Sequence, residues 1–122
     1  MIKLTFCLKR QPHLSRAEFQ DYWRNHHAPL VKSFQDALKI KRYVQVHALA
    51  DELSQPLQGP RGAPEGYDGI AELWLDNVED LTSADPLARK AGRALLEDEK
   101  KFIDLANSPI WLSVEHEIIN RM

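Results

Sequence analysis

The sequence lacks the features that mark several large classes of protein. It has one cysteine, Cys7, in 122 residues, which rules out an internal disulfide and a cysteine-rich zinc site. The 16 basic and 18 acidic residues give a net charge of −2, which argues against a nucleic-acid partner bound by phosphate neutralisation. No apolar run approaches the roughly 20 residues of a membrane span. The segment MIKLTFCLKR contains no signal-peptide pattern, so we expect a cytoplasmic protein that does not bind a membrane.

What is present is the composition of one globular domain, with 43% apolar and 28% charged residues. This length is enough to bury a substantial core. Seven of the twelve glycines and prolines fall between Pro56 and Gly69, which predicts one long surface loop there. Because no repeat and no second core is visible, we treat residues 1–122 as a single domain.

Apolar periodicity predicts an α+β fold. Strands are predicted over Ile2–Lys9, Ile40–Leu49, Asp68–Asp76 and Ile110–Ile119. A capping box from Ser15 to Glu18 opens the first helix, and Asp85 followed by a proline opens the second. Pro29 should kink or end the first helical segment. The order βαββαβ is that of the ferredoxin-like fold, a four-stranded antiparallel sheet with two helices on one face.

Both faces of the predicted strands carry apolar side chains. In the second strand, Val44, Val46 and Ala48 oppose Tyr43 and Leu49. Two helices can cover only one face of the sheet, so the other face needs a partner. A second copy of the chain is the simplest one, which predicts a homodimer.

Two adjacent histidines are the first candidates for chemistry. At 100° per residue, His26 falls within the apolar stripe between Trp23 and Leu30, while His27 falls nearer its edge. A histidine in a partly dry setting is the best acid–base catalyst near neutral pH. The alternative is a buried histidine that only packs and satisfies its hydrogen bonds.

Asp98 is the second candidate, because its helical phase places a carboxylate in mid-stripe between Leu95 and Phe102. A buried carboxylate needs a partner or a raised pKa. It could orient a histidine across a pocket, or it could hydrogen-bond a tryptophan or tyrosine in a purely structural role.

Aromatic residues are numerous enough to line a pocket or to build an ordinary core. They include Tyr22, Trp23, Phe34, Tyr43, Tyr67, Trp74, Phe102 and Trp111. We expect no metal, since the histidines and carboxylates lack a ligand spacing such as HExxH. No glycine-rich phosphate loop is present, so a nucleotide cofactor is not expected either.

Four segments in order give the chain a family resemblance. They are YWRNHHAPLV (Tyr22–Val31), RYVQVH (Arg42–His47), YDGIAELWLD (Tyr67–Asp76) and DEKKFIDLANSPIWLSVEHEII (Asp98–Ile119). Together they resemble the EthD family, a group within the dimeric α/β-barrel superfamily.

The resemblance implies that two ferredoxin-like subunits pair their sheets into a dimeric α/β barrel, with a ligand pocket between sheet and helices in each subunit. The wider superfamily includes cofactor-independent oxygenases, cyclases, dehydratases and isomerases, and some haem-binding enzymes. The family's histidine before the Ala-Pro-Leu step matches His27, and its C-terminal acidic–histidine pair matches Glu115 and His116. Residues 51–66 match poorly and could cover the mouth of the pocket.

The leading hypothesis is therefore a cofactor-independent enzyme acting on a small apolar, oxygenated compound, such as a polyketide-like aromatic or a lactone. Its reaction would be dehydration, isomerisation or oxygenation, begun by removal of a proton next to a carbonyl group. In it, His27 moves a proton, Asp98 orients the imidazole, and Tyr22 or Tyr43 bonds a substrate oxygen. The other residues predicted to bind substrate are His26, Trp23, Trp74, Phe102 and His116. Two alternatives remain open. One is a non-catalytic ligand carrier or accessory protein of a catabolic oxygenase system, and the other is a haem protein with an axial histidine.

Overall fold

The computed structural model describes all 122 residues. The strands are Ile2–Leu8 (β1), Arg42–His47 (β2), Gly69–Leu75 (β3) and Ile110–Ser113 (β4). The α-helices are Arg16–Tyr22 (α1), Ala28–Ser33 (α2), Asp51–Gln58 (α3) and Pro86–Glu99 (α4). A π-helical turn, Trp23–His27, joins α1 to α2, and short 3-10 turns lie at Gly59–Arg61, Val78–Thr82 and Leu105–Asn107. None of the helices has the length and apolar character needed to cross a bilayer.

The four strands form one antiparallel sheet in the order β2-β3-β1-β4. This confirms the predicted α+β, ferredoxin-like architecture. The capping box of Ser15 and Glu18 is formed at the start of α1, and the Asp85 carboxylate accepts from the Leu87 amide at the start of α4. Local sequence signals therefore set the starts of both main helices.

The core lies between one face of the sheet and the helices. Alternate residues of β1 and β3 face it, so that Phe6 pairs with Ala71 and Leu8 with Gly69 across the two strands. The buried cluster consists of Phe6, Leu8, Phe19, Trp23, Ala71, Phe102 and Ile103. The helical side chains in this cluster fix the π turn and the end of α4 against the sheet.

Gly69 lets a helix approach the sheet closely. A Cβ at this position would lie 2.8 Å from Cη2 of Trp23 and 2.7 Å from the carbonyl oxygen of Val46. The Trp23 indole occupies the space above the glycine and stacks on the His47 ring, with centroids 4.4 Å apart. The absence of a side chain at Gly69 thus allows the π turn to pack directly on β2 and β3.

The prediction of one long loop after Pro56 is wrong in part, because residues 51–58 form α3 with Pro56 inside it. Two acidic residues favour the start of this helix, and the Arg16 guanidinium binds the Asp51 carboxylate there at 2.7 Å. No residue of α3 is buried, and no residue of 51–66 lines the main cavity. The segment therefore does not cover the cavity mouth.

The fourth strand is shorter than predicted, since it ends at Ser113 rather than Ile119. Ser113 lies opposite Lys3, near the beginning of β1, so the register leaves almost no β1 residue for the following segment to pair with. Val114, Ile118 and Ile119 are consequently exposed, by 63%, 86% and 74%.

Candidate active site

The π turn decides which histidine faces inward. Within it, the Ala28 N–H donates to the Trp23 carbonyl, five residues back, so the turn holds one more residue than an α-helical turn. This places the His27 side chain inside, at 5% exposure. His26 is exposed and stacks on the outer side of Tyr22, with ring centroids 5.1 Å apart. Pro29 lies directly after the π turn, in the first turn of α2.

His27, Asp98 and Tyr22 form a connected group although they are far apart in sequence. Nδ1 of His27 lies 2.7 Å from Oδ2 of Asp98, and the Tyr22 hydroxyl donates to Oδ1 of the same carboxylate at 2.6 Å. Asp98 comes from the last turn of α4 and is itself buried. One carboxylate therefore fixes the imidazole while a tyrosine fixes the carboxylate.

The protonation states of this group follow from its surroundings. Burial lowers the pKa of His27 below its ordinary value, against the opposing effect of Asp98. Burial alone would raise the pKa of Asp98, but hydrogen bonds from Tyr22 and His27 outweigh it and lower that pKa. Burial and the bond to Asp98 raise the pKa of Tyr22 to about 12. At neutral pH the group thus holds an ionised aspartate and a neutral histidine.

An ionised carboxylate can only accept hydrogen bonds, so Nδ1 of His27 carries the ring proton and its N–H donates a hydrogen bond to Asp98. Nε2 is then the unprotonated nitrogen, with a free lone pair. His27 lines the main cavity, whereas Asp98 and Tyr22 lie behind it. The nitrogen left available to a ligand is the basic one.

The main cavity lies between the sheet and the helices and has a volume of about 360 Å³. Sixteen of its 22 lining residues are hydrophobic. Its floor is formed by inward-facing residues of β1 and β3, namely Leu4, Phe6, Leu8, Ala71, Leu73 and Leu75. A cavity of this size and lining suits a small, largely apolar molecule with few polar groups.

The cavity runs along α4. Ala88, Gly92, Leu95 and Glu99 line it at successive turns, and 11 residues of helix rise about 16 Å. Its inner end is closed by buried residues, with Leu8 at 0%, Trp23 at 1% and Ile103 at 2% exposure. At the outer end lie exposed residues such as Leu81 and Arg89. His27, which is buried, and Glu99, which is half-buried, therefore lie toward the inner end.

Of the other residues predicted to bind substrate, Trp23 and Tyr43 line the cavity. Phe102 is fully buried behind His27, with ring centroids 5.0 Å apart, and does not reach the cavity. Phe102 therefore packs against the His27 imidazole, which lines the cavity.

The remaining three predicted residues lie away from the cavity. Trp74 is on the opposite face of the sheet, because its neighbours Leu73 and Leu75 face inward and strand side chains alternate. There its indole N–H donates to the Glu115 carboxylate. His116 follows the end of β4 and is exposed, as is His26. Trp74, His116 and His26 therefore do not contact a ligand bound in this cavity.

Glu99 is a cavity residue that the sequence reasoning missed. It lies four residues after Leu95 on the face of α4 that lines the cavity, and no hydrogen bond or ion pair in the structure involves its side chain. Burial, together with the charge of Asp98, raises the pKa of Glu99 to about 7. The sequence signal was its spacing from Leu95, which the neighbouring Asp98 obscured.

No group of three or more histidine, cysteine, aspartate or glutamate side chains converges where it could hold a metal ion. The polar residues lining the cavity are instead His27, Tyr43 and Glu99, together with Asp80, Ser83 and Arg89. Fold and site together define a ferredoxin-like domain with an apolar ligand cavity and a buried histidine–aspartate pair in its wall.

Comparison with known proteins identifies the family. The EthD domain matches residues 11–106, which is most of the chain and includes α1, the π turn and α4. The chain therefore belongs to the EthD family, as its sequence motifs indicated.

A curated relative is the conidial pigment biosynthesis dehydratase EthD of Metarhizium robertsii, 28% identical over 98% of this chain and 85% of its own length. An EthD family protein from Bacillus halodurans shares the fold with a TM-score of 0.60 at 19% identity, over 95% of this chain and 100% of that one. A dimeric protein with a ferredoxin-like fold from Bacteroides fragilis has a TM-score of 0.57 at 10% identity, over 92% and 93%.

Proposed function

We propose that this protein binds a small, largely apolar, oxygenated compound and removes water from it by acid–base catalysis without a cofactor. The observation that carries the proposal is the 2.7 Å hydrogen bond between Nδ1 of His27 and the buried Asp98, in the wall of an apolar cavity. It leaves a basic nitrogen facing a dry space, which is the requirement for abstracting a proton next to a carbonyl group.

The roles of the three residues differ. His27 is the catalytic base, because only its ring reaches the cavity. Asp98 is a positioning residue that keeps the reactive tautomer and stabilises the imidazolium formed when the ring accepts a proton. Tyr22 holds the second oxygen of Asp98 and acts through it. Neither oxygen of Asp98 is thus free to rotate away from the imidazole.

The cavity supports a bicyclic or similar compact substrate. A volume of about 360 Å³ lined mainly by hydrophobic side chains gives little affinity to a strongly charged molecule. The dehydratase name of the Metarhizium relative favours loss of water over isomerisation or oxygenation as the reaction of this chain. The substrate class that fits both is a β-hydroxy ketone fused to an aromatic ring.

A suitable probe is 3-hydroxy-1-tetralone, which gives 1-naphthol when it loses water, so product absorbance reports the reaction. We expect the protein to accelerate this dehydration above the buffer rate. If instead the compound quenches tryptophan fluorescence on binding but is never converted, the chain is a carrier. A Soret band after incubation with haem would show instead that the chain is a haem-binding protein. Either of these two results contradicts the proposal.

We further propose that the uncovered face of the sheet pairs with a second copy of the chain. Val46 and Trp111 lie on this face and are 41% and 47% exposed, and no helix packs on it. The apolar segment after β4 is exposed as well. The dimeric neighbour from Bacteroides fragilis supports this arrangement.

The dimer predicts a native mass of two 14.0-kDa chains. Placing a charge on the face, with Val46→Glu, should bury that charge unpaired at the interface and raise the dimer dissociation constant at least about tenfold. Leu87→Glu is the matched control, since Leu87 is 66% exposed on the helical side of the domain. Sedimentation equilibrium of the three proteins measures this, and a monomeric wild-type protein would contradict it.

A further inference from the structure

Glu99 stands where a second reacting group would be needed. It shares the inner part of the cavity with His27 and Tyr43, and the surrounding lining is apolar. Its neighbour Asp98 is held by Tyr22 and His27, whereas nothing holds the Glu99 carboxyl. The two adjacent acids at the end of α4 therefore point to different partners, one to the imidazole and one to the cavity.

Dehydration of a β-hydroxy ketone requires an acid as well as a base, because hydroxide is a poor leaving group. We propose that Glu99 is the general acid that protonates the departing hydroxyl, a role that rests on the dehydration proposed above. The sequence does not single out this residue, and its place on the cavity wall carries the assignment.

The step balances with these two residues alone. Nε2 of His27 takes the proton from the carbon next to the ketone, and the electrons of that C–H bond form the new carbon–carbon double bond. The carbon–oxygen bond breaks, and the oxygen leaves as water with the proton of Glu99. Proton transfer from the imidazolium to the Glu99 carboxylate, through the released water, restores both groups.

The other polar groups near the inner end of the cavity are less suited to this role. Asp98 lies behind His27, is ionised, and its oxygens already accept hydrogen bonds. The Tyr43 hydroxyl accepts from the Gln45 amide at 2.9 Å, and burial raises the pKa of Tyr43 further above its ordinary value. Glu99, with a pKa of about 7, is still substantially protonated at neutral pH.

A substrate-free measurement tests the protonated state first. The groups that face Glu99 are Asp98 on α4, His27 on the π turn and Tyr43 on β2. Because its pKa rises on folding, a charged Glu99 destabilises the protein as the pH increases toward 7 and above. Glu99→Gln removes this effect, so it should raise Tm relative to wild type by about 5 °C more at pH 8 than at pH 5.

Glu97→Gln is the matched control, since Glu97 is an exposed glutamate of the same helix that pairs with Lys100. It should show no such pH-dependent difference in Tm. Equal behaviour of the two variants would mean that Glu99 is ionised like a surface residue, and the proposal would be withdrawn.

Changing the leaving group of the substrate tests the acid role of Glu99 separately from the base role of His27. Acetate leaves without protonation, so 3-acetoxy-1-tetralone needs the base but not the acid, whereas 3-hydroxy-1-tetralone needs both. Glu99→Gln should therefore lower the ratio of the hydroxy to the acetoxy rate by about 10²-fold, the usual contribution of one general acid. A variant that only perturbs packing would slow both substrates alike and leave the ratio unchanged.

The outcomes separate the two proposals. Wild-type protein that accelerates neither elimination overturns the dehydration and with it the role of Glu99. Wild-type protein that accelerates both, with an unchanged ratio in Glu99→Gln, overturns the role of Glu99 alone. The pH profile gives a further check, because loss of the acid form should lower the wild-type hydroxy ketone rate as the pH rises through about 7, and Glu99→Gln should lack this decrease.

Discussion

Replacing His27 with alanine should reduce the dehydration rate of 3-hydroxy-1-tetralone by about 10²–10⁴-fold, the range for loss of one general base. The base has no substitute, because Asp98 and Tyr22 lie behind the imidazole and do not reach the cavity. His27→Gln should lose a similar factor while keeping a hydrogen-bonding side chain next to Asp98. Initial rates at saturating substrate measure the effect.

His26→Ala is the control for this experiment, since His26 is adjacent in sequence but exposed and outside the cavity. It should keep the rate within about twofold. If both histidine variants retain full activity, His27 is a structural residue and the assigned base is wrong. Circular dichroism of each variant verifies that the fold is intact.

Truncating Phe102 to alanine should destabilise the protein by about 3–5 kcal/mol, the usual cost of removing a buried aromatic ring. Phe102 has no solvent exposure, and its ring lies 5.0 Å from the rings of both His27 and Tyr22 and 5.6 Å from that of Phe19. The cavity left behind would open directly behind the imidazole. Urea denaturation followed by tryptophan fluorescence gives the free energy of unfolding.

Leu87→Ala provides the comparison, because it also removes a large apolar side chain but from a position that is 66% exposed. Its free energy of unfolding should change by less than about 0.5 kcal/mol. A loss below about 1 kcal/mol in Phe102→Ala would mean that the region relaxes to fill the space, and that Phe102 does not hold His27 in place.

The sequence predicted the architecture well because its signals were local and repeated. Strand alternation, the Ser15 capping box and the Asp85 cap each depend on a few neighbouring residues, and all three are present in the structure. Failures occurred where the outcome depends on distant partners. The length of β4 depends on its register with β1, and α3 forms despite Pro56 because Arg16 and acidic residues favour its start.

The candidate site was predictable in its components but not in its geometry. Uniform helical phase slightly favoured His26, whereas the π turn adds one residue and turns His27 inward. No periodic pattern encodes such a turn, and only the family resemblance pointed to His27. Asp98 was found because a charge in an apolar stripe is conspicuous, while Glu99 next to it was not separately distinguishable.

The cavity's course along α4 has a consequence for how molecules are processed. It follows about 16 Å of α4, from the buried side chains of Trp23, Leu8 and Ile103 at one end to exposed residues such as Arg89 at the other. A ligand whose reactive end reaches His27 therefore places that end beside the buried side chains. Substituents at the other end of the molecule lie toward the exposed residues, whereas any enlargement of the reactive end collides with fully packed side chains. Selectivity should be strict at one end of the molecule and permissive at the other.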